Sequence, residues 1–337
     1  MIRVALLGSG AMGRTHAQAY ATLPDVHVVA VVDHDGASAS VVAASLGARA
    51  YTTLADALDA ERPGVIDCCW PTSLHRTVVE EAASHGSHVI CEKPLALTLD
   101  DGHAMIAACR AAGTRLLVAQ VVRFFPAYHA LTDHIREGRI GRPVLCTLLR
   151  QGFYPTGRDG WYRDEARSGG VFLDLMIHDF DWALRQFGSA ERVYARLVAT
   201  NSADARPYAQ GMATVRHRSG VISGVTGTWG YPGPFTTAVE IAGTGGLLRY
   251  HTDESRPLRL LVPTEAAASD SAVPLPDLAG GDDPYRIELA HFVDVLHGRA
   301  EPLVRPEEAL DALRLALAAR ASAATNKAQC INEEESA

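Results

Sequence analysis

Short apolar runs alternate with helix-like segments along the first third of the chain. This alternation is typical of parallel strands joined by crossover helices. Alanine-rich helices are expected between the strands, for instance over residues 12–23 and 74–85. We therefore expect residues 1–122 to form an α/β domain with a doubly wound parallel sheet. The predicted strands are residues 3–7, 26–32, 64–69, 88–91 and 115–118.

Beyond residue 122 the pattern changes to that of a second α/β domain, residues 123–327. Hairpin signals at residues 218–220 and 243–246 separate several strand-like runs, which predicts a mainly antiparallel sheet. Residues 263–284 are expected to form a loop, and residues 328–337 a frayed acidic tail. The other predicted elements are helices over residues 127–137, 169–187, 285–297 and 306–325, a turn over 138–143 and a strand over 144–150.

Composition narrows the class of partner. A chain of 337 residues that is 47% hydrophobic can bury two cores. Its net charge of -8 offers no basic footprint for nucleic acid or an anionic membrane surface. No apolar run approaches the roughly 20 residues that a membrane helix needs. We therefore expect a small-molecule partner, with neither nucleic acid nor membrane.

The cysteines indicate a reducing compartment. They show no C-x-x-C pair and no spacing typical of a disulfide framework, so reduced thiols in a cytoplasmic protein are expected. The six are Cys68, Cys69, Cys91, Cys109, Cys146 and Cys330.

A G-x-G-x-x-G motif follows the first predicted strand and opens the first helix, which is the context that a dinucleotide-binding turn requires. The first glycine permits the tight turn, the second lets the backbone approach a pyrophosphate, and the third allows close helix packing. The helix N-terminus adds amide donors for the phosphates. The alternative is a glycine-rich turn that binds nothing. The motif consists of Gly8, Ser9, Gly10, Ala11, Met12 and Gly13.

Asp33 ends the second predicted strand, about 20 residues beyond the turn, where a carboxylate accepts hydrogen bonds from a ribose hydroxyl. It would repel a 2′-phosphate, and no arginine follows it, so NAD is expected as cofactor in preference to NADP. His34 favours NADP slightly, because a protonated imidazole can contact a phosphate.

Two further segments carry candidate chemistry. Lys93 ends a strand at the sheet edge where ligands bind, and Pro94 fixes the chain direction after it; alone, such a lysine is usually a solvated surface residue. Asp174 and His178 are four residues apart, which on one helix lets the carboxylate orient the imidazole and raise its pKa. The alternative for this pair is a helical ion pair or a core histidine.

A metal site was weighed against these interpretations. The candidate ligands lie close in sequence, but neither group has a recognised zinc-ligand spacing, so no metal is expected. The groups are Asp174, His178, Asp179 and Asp181, and His85, His88 and Cys91.

Over nearly its whole length the chain resembles the glucose-fructose oxidoreductase, inositol dehydrogenase and rhizopine-catabolism (Gfo/Idh/MocA) family. The order and spacing of several short motifs carry the resemblance. Besides the glycine turn and Asp33, they are Pro71-Thr72-Ser73-Leu74-His75, Glu92-Lys93-Pro94, Arg123-Phe124, Ile140-Gly141-Arg142-Pro143, and Gly169-Gly170 with Asp174 and His178.

The resemblance implies a Rossmann domain followed by an α/β domain whose large, open, mainly antiparallel sheet forms a dimer or tetramer interface. It also implies a catalytic trio, with His178 as general base, Lys93 polarising the reacting oxygen, and Asp174 orienting His178 or holding the substrate. Inositol dehydrogenases are the most similar members, since Arg123, the Trp229–Tyr231 stretch and Tyr285 fall where substrate contacts occur there. By the same resemblance the cofactor cleft is lined by Pro71, His75, Glu92 and Pro94, with Pro94 in a cis peptide, and His34, Trp70 and Lys93 are also expected to contact the cofactor. Trp70 departs from the family, which is expected to reshape the pocket near the nicotinamide.

The expected function is that of an NAD-dependent dehydrogenase acting on a secondary alcohol of an inositol, a sugar or a sugar derivative. Arg123 and Tyr231 are expected to contact this substrate together with the catalytic trio. One alternative is a reductase of a keto-sugar, including nucleotide-linked ones. Another, from a different class, is a dinucleotide-binding sensor without turnover.

Overall fold

The computed structural model describes residues 1–200, 207–252 and 283–331. Contacts divide the chain into two units, Met1–Phe124 with Gly280–Leu310, and Phe125–Ala279 with Asp311–Ala337. The first division falls two residues from the expected one, but residues 280–310 return to the first unit rather than staying with the second. Residues 263–282 of the expected loop lie outside the described residues.

A six-stranded parallel sheet forms the first unit, in the order β3-β2-β1-β4-β5-β6. Except for the short, exposed β3, its strands are largely buried on both faces, which explains their continuous apolar sequences. Five strands match the predicted ones within two residues, and the short β3 was not predicted. The bounds are β1 Ile2–Leu7, β2 Val26–Val32, β3 Arg49–Tyr51, β4 Val65–Cys68, β5 His88–Glu92 and β6 Leu116–Ala119.

The strand order reverses direction at β1, between β1 and β4, and ligands of such sheets bind outside the carboxyl ends of the strands at this point. The helix after β1 has no side-chain cap, so its first backbone amides remain available to a ligand. By contrast, the helix after β2 is capped by the Asp35 carboxylate. The helices of this unit are α1 Ala11–Tyr20, α2 Gly36–Leu46, α3 Leu54–Glu61, α4 His75–Ser84, α5 Leu99–Ala112 and, much later in the chain, α10 Pro284–Leu296.

The second unit contains a seven-stranded sheet in the order β12-β11-β7-β10-β9-β8-β13. All neighbouring pairs are antiparallel except β7 and β10. Both predicted hairpins are confirmed, β9 to β10 and β11 to β12. The bounds are β7 Pro143–Gly152, β8 Ala190–Thr200, β9 Tyr208–His217, β10 Ile222–Trp229, β11 Thr236–Gly243, β12 Gly246–His251 and β13 Gln329–Cys330.

The predicted frayed tail is wrong for its first residues. Gln329 and Cys330 form β13 and pair with Val193 and Arg192 of β8. The Ile331 amide continues this pairing by donating to the Glu191 carbonyl at 2.9 Å. Backbone pairing with an edge strand therefore orders residues 329–331, while residues 332–337 lie outside the described residues.

The predicted single helix over residues 169–187 is also wrong. Leu175 and Met176 interrupt it. Met176 packs on two glycines of the sheet: a Cβ at Gly227 would lie 2.3 Å from its Cγ, and one at Gly211 would lie 2.7 Å from its Sδ. The break thus brings the chain against the sheet. The helices of this unit are α6 Pro126–Arg136, α7 Glu165–Ser168, α8 Gly170–Asp174, α9 Ile177–Phe187 and most of α11 Pro306–Thr325.

Candidate active site

The glycine turn has the geometry of a phosphate cradle. Gly8 has a φ of 108°, and a Cβ at Gly13 would lie 1.8 Å from the Gly8 carbonyl oxygen, so both positions require glycine. A Cβ at Gly10 would meet nothing within 4 Å, which leaves its outer side open to an approaching group. Ser9 is buried between the glycines, and Ala11 and Met12 begin α1. The turn therefore fits a pyrophosphate on the N-terminus of α1.

Asp33 is held rigidly beside this turn. Its Oδ2 accepts hydrogen bonds from the Ser9 amide at 2.8 Å and the Ser9 hydroxyl at 2.7 Å. Its Oδ1 accepts from the Asp35 amide at 3.0 Å. The His34 ring is largely exposed, with Nδ1 3.1 Å from the same Oδ1. The structure therefore brings the turn and the predicted ribose-binding carboxylate together.

Trp70 lies at the ribose end of the sheet edge. Its indole Nε1 donates a hydrogen bond to the carbonyl oxygen of Val32 at 3.4 Å. Val32 is the residue before Asp33. The side chain therefore turns towards β2, and the expectation that Trp70 reshapes the pocket near the nicotinamide stays a prediction.

The Lys93 segment is fixed by its neighbours. The Glu92 carboxylate accepts a hydrogen bond from the Lys93 amide at 3.0 Å, and the Lys93–Pro94 peptide is cis, as expected. The His75 ring joins this segment to the end of β4. Its Nδ1 lies 3.1 Å from the Pro94 carbonyl oxygen, and its Nε2 lies 3.0 Å from that of Trp70. Burial lowers the pKa of His75. Pro71 precedes the short 3-10 helix Thr72–Leu74 in the same connection.

A buried polar network, which the sequence analysis missed, connects α1 to the carboxyl ends of β4 and β5. His16 of α1 contacts the Asp67 carboxylate of β4 through Nδ1 at 2.8 Å and the Glu92 carboxylate through Nε2 at 3.3 Å. The Tyr20 hydroxyl also donates to Asp67, at 2.8 Å. Burial alone would lower the pKa of His16, but the Asp67 charge, with Cys69, raises it well above its ordinary value. The one signal in the sequence was a charged residue, Asp67, inside a predicted apolar strand.

The metal-ligand grouping of His85, His88 and Cys91 does not form. His85 Nδ1 lies 2.9 Å from the Glu81 carbonyl oxygen, and His88 Nδ1 accepts from the Arg115 amide. Two other sets of potential ligand atoms lie within 4.8 Å of one another among the described residues. Their histidines already face carbonyl or carboxylate oxygens, so a metal is not needed to account for them. The sets are Cys68, His75 and Cys91, and His16, Asp67 and Cys69.

In the second unit, Asp174 is the buried last residue of α8 and His178 is a half-buried residue in the first turn of α9. They therefore do not share one continuous helix, and their predicted carboxylate–imidazole pairing stays a prediction. The residue after His178, Asp179, is clamped by Arg150 of β7. The two contacts are Arg150 Nε to Oδ2 at 2.9 Å and Nη2 to Oδ1 at 2.8 Å, and both side chains are buried. This bidentate pair fixes the first turn of α9 to the sheet.

The predicted substrate residues have differing surroundings. Arg123 is buried, and its Nη1 donates to the Glu308 carboxylate at 2.8 Å and the Leu303 carbonyl at 2.9 Å. This is the environment of a structural ion pair, and the predicted substrate contact of Arg123 stays a prediction. Tyr285 is likewise buried, with its ring centre 6.3 Å from that of His16. Tyr231 is half-buried after β10, held by its amide hydrogen bond to the Gly152 carbonyl.

Comparison with known proteins agrees with the two units. Residues 2–120 match an oxidoreductase family with an NAD-binding Rossmann fold, and residues 128–249 match the Gfo/Idh/MocA C-terminal domain. The chain belongs to the Gfo/Idh/MocA oxidoreductase family. It is 31% identical to D-apiose dehydrogenase of Paraburkholderia graminis, over 95% of this chain and 87% of that protein. It is 29% identical to inositol 2-dehydrogenase of Rhizobium meliloti, over 97% and 98% of the two chains.

Structural similarity extends along the chain. The WlbA dehydrogenase of Bordetella pertussis, crystallised with NADH and UDP-GlcNAcA, superposes with a TM-score of 0.82 at 25% identity, covering 99% of this chain and 98% of that one. The first unit is thus an NAD-binding Rossmann domain, as predicted. None of the described helices combines the length and apolar character that crossing a bilayer requires.

Proposed function

We propose that this chain is an NAD-dependent dehydrogenase that transfers a hydride between nicotinamide and a secondary alcohol or ketone of an inositol, a sugar or a sugar derivative. The observation that carries the proposal is the shared carboxyl edge of the first sheet. An open phosphate turn, a fixed ribose-binding carboxylate and a held lysine all lie along it. Inositol and sugar dehydrogenases among the relatives support the substrate class.

The catalytic roles follow from the residue types. His178 takes the hydroxyl proton when the alcohol is oxidised, and returns it when the ketone is reduced. Lys93 places a cation beside the same oxygen and stabilises its developing negative charge. Asp174 orients His178 or holds a substrate hydroxyl. When bound, NAD supplies the nicotinamide carbon that accepts the hydride.

The use of lysine at position 93 supports this role. Lys93 and Lys327 are the only lysines among the 31 lysine and arginine residues of the chain. A chain that otherwise uses arginine keeps lysine where chemistry needs a compact ammonium with a movable proton rather than a planar guanidinium. The exposed Lys327 provides a matched control.

The deciding experiment measures NAD reduction across a panel of inositols, aldoses and their keto or lactone counterparts, repeated with NADP. Lys93→Ala and Lys93→Arg are expected to lower kcat by orders of magnitude while NADH affinity is nearly unchanged, and Lys327→Ala to behave like wild type. Turnover by Lys93→Ala at the wild-type rate would remove the assigned role. NADH binding without turnover on any panel member would favour the sensor.

We further propose that a homo-oligomer forms through the second sheet. The strand registers place six apolar side chains, each between 41% and 68% exposed, on the face opposite Gly211 and Gly227, the glycines on which Met176 packs. A sheet face that exposes several large apolar side chains is typical of an interface. Light scattering should show an oligomer that Met212→Glu dissociates and that Val41→Glu leaves intact, because Val41 is also an exposed apolar residue but lies on α2. The six are Leu145, Tyr194, Val198, Met212, Ile222 and Leu247.

A cytoplasmic location is proposed from the thiols. All six cysteines are free, and Cys68 and Cys91 remain thiols although they are paired directly across β4 and β5. A reducing compartment maintains such pairs. Cell fractionation tests the location.

A further inference from the structure

An aromatic side chain crosses the cofactor edge of the first sheet. Trp70 follows β4, yet its Nε1 donates to the carbonyl of Val32, the last residue of β2. These strands are not neighbours, because β1 lies between them. The indole therefore passes over the carboxyl end of β1, where the glycine turn begins.

Trp70 is held both through its side chain and through its backbone. The indole nitrogen is held by Val32, and the Trp70 carbonyl oxygen lies 3.0 Å from His75 Nε2. The preceding residue, Cys69, packs its carbonyl against Gly8, where an added Cβ would lie 3.0 Å away. Trp70 nonetheless stays half-exposed, and none of the ring-to-ring contacts found in residues 1–200, 207–252 and 283–331 involves it. The indole is thus anchored through its edge.

The ring lies beside the expected site of one half of the cofactor. Asp33, the residue after Val32, binds the ribose of the adenosine half, and the pyrophosphate binds at the glycine turn. Trp70 spans the interval between these two anchors. A base attached to the Asp33-bound ribose comes within reach of the indole.

We infer that the adenosine moiety of NAD packs against the indole face of Trp70, which makes Trp70 an affinity determinant for the adenosine half of the cofactor. The inference rests on the proposed function, in that it requires a dinucleotide at this edge. Because Val32 already fixes the ring, stacking would cost little side-chain entropy. Stacking of a base on an aromatic side chain amounts to about 5- to 150-fold in affinity.

The test uses ADP-ribose, which carries the adenosine half and lacks nicotinamide, so that binding is measured without catalysis. Calorimetric titration compares wild type with Trp70→Leu and Trp70→Phe. Leucine keeps an apolar side chain without a π face and is expected to weaken ADP-ribose binding by about 5- to 150-fold. Phenylalanine keeps the π face and is expected to retain most of the affinity.

A spectroscopic measurement accompanies the titration. ADP-ribose should change the tryptophan emission of wild type and of Trp161→Phe, a control in the second unit that replaces another half-exposed indole. The change should vanish in Trp70→Phe. Equal ADP-ribose affinity in all three proteins, or equal weakening by leucine and phenylalanine, would overturn the stacking while leaving the dinucleotide site intact. A wild-type protein that fails to bind ADP-ribose would overturn the site and the inference together.

Discussion

Glu288 gives the sharpest quantitative prediction. It lies on α10, is fully buried, and neither carboxylate oxygen has a hydrogen-bond partner among the described residues. Burial raises the pKa of Glu288 well above its ordinary value of 4.5, and the charges of Glu92 and Asp67 raise it further, while His16 opposes them. Burial therefore favours the neutral, protonated carboxyl group, and Glu288→Gln replaces that group with a neutral one of similar shape.

The sign of the pH effect follows from proton binding. Between the ordinary and the raised pKa of Glu288, the folded protein holds a proton that the unfolded chain has released. The free energy of unfolding therefore falls by about 1.4 kcal/mol for each pH unit in this window. The contribution of the Glu288 proton to the free energy of unfolding is complete below pH 4.5, and it is lost as the pH rises through the raised pKa of Glu288. His16, whose pKa is also raised, adds a similar fall above its ordinary value of 6.5, but it does so in wild type and variant alike.

Urea unfolding measured at successive pH values above 4.5 tests this difference. Within the window between the ordinary and the raised pKa of Glu288, the free energy of unfolding of wild type should fall by about 1.4 kcal/mol per pH unit more than that of Glu288→Gln. The surface variant Glu137→Gln should follow wild type, because the Glu137 side chain is half-exposed and forms a surface ion pair with Arg139. The infrared band of a protonated carboxyl group should be present in wild type and absent from Glu288→Gln. Parallel stability curves, or no such band, would show that Glu288 is ionised and that the charge assignment of the network is wrong.

Three further changes have defined outcomes. Asp33→Ser should raise the kcat/KM ratio of NADP to NAD, and an unchanged ratio in cofactor kinetics would count against the ribose contact. Asp179→Asn removes the charge that faces the buried Arg150, so urea unfolding should show that the free energy of unfolding falls by about 3 to 5 kcal/mol. A fall of less than about 1 kcal/mol would contradict the role of this pair in fixing α9 to the sheet. Gly227→Ala would place a Cβ 2.3 Å from Met176 Cγ and should shift the break between α8 and α9. We therefore expect kcat to fall, while the NADH dissociation constant, measured by fluorescence, stays the same. Unchanged kcat would mean that this packing does not position the catalytic segment.

The first sheet was largely predictable because its information is local. Continuous apolar runs mark strands buried on both faces, and glycine patterns mark turns whose backbone no other residue can adopt. The strand β3 escaped because three residues, Arg49–Tyr51, are too few to show a period and none of them is buried. The break after Asp174 escaped because the apolar pattern continues through it, while its cause lies in two glycines on other strands.

Partners distant in sequence account for what the sequence could not show. Arg123 has the residue type of a substrate contact, and only the structure reveals its pairing with Glu308, 185 positions away. Trp70 follows β4, and only the sheet order reveals that it reaches β2. Residue types near a motif therefore identify candidates, and the burial and pairing of each candidate decide which remain available to a ligand.

Burial and pairing also separate two kinds of charged residue in the first unit. His16, Asp67 and Glu92 face one another in the interior, so their hydrogen-bonding capacity is directed at the protein and holds the Lys93 segment from below. Asp33 differs, since its carboxylate is oriented by Ser9 and Asp35 at the edge where the sheet order reverses. A carboxylate that is fixed at a ligand edge is pre-organised for recognition, whereas one fixed in the interior stabilises its neighbours. The candidate site is therefore built from edge groups that recognise the cofactor and an interior network that holds them in place.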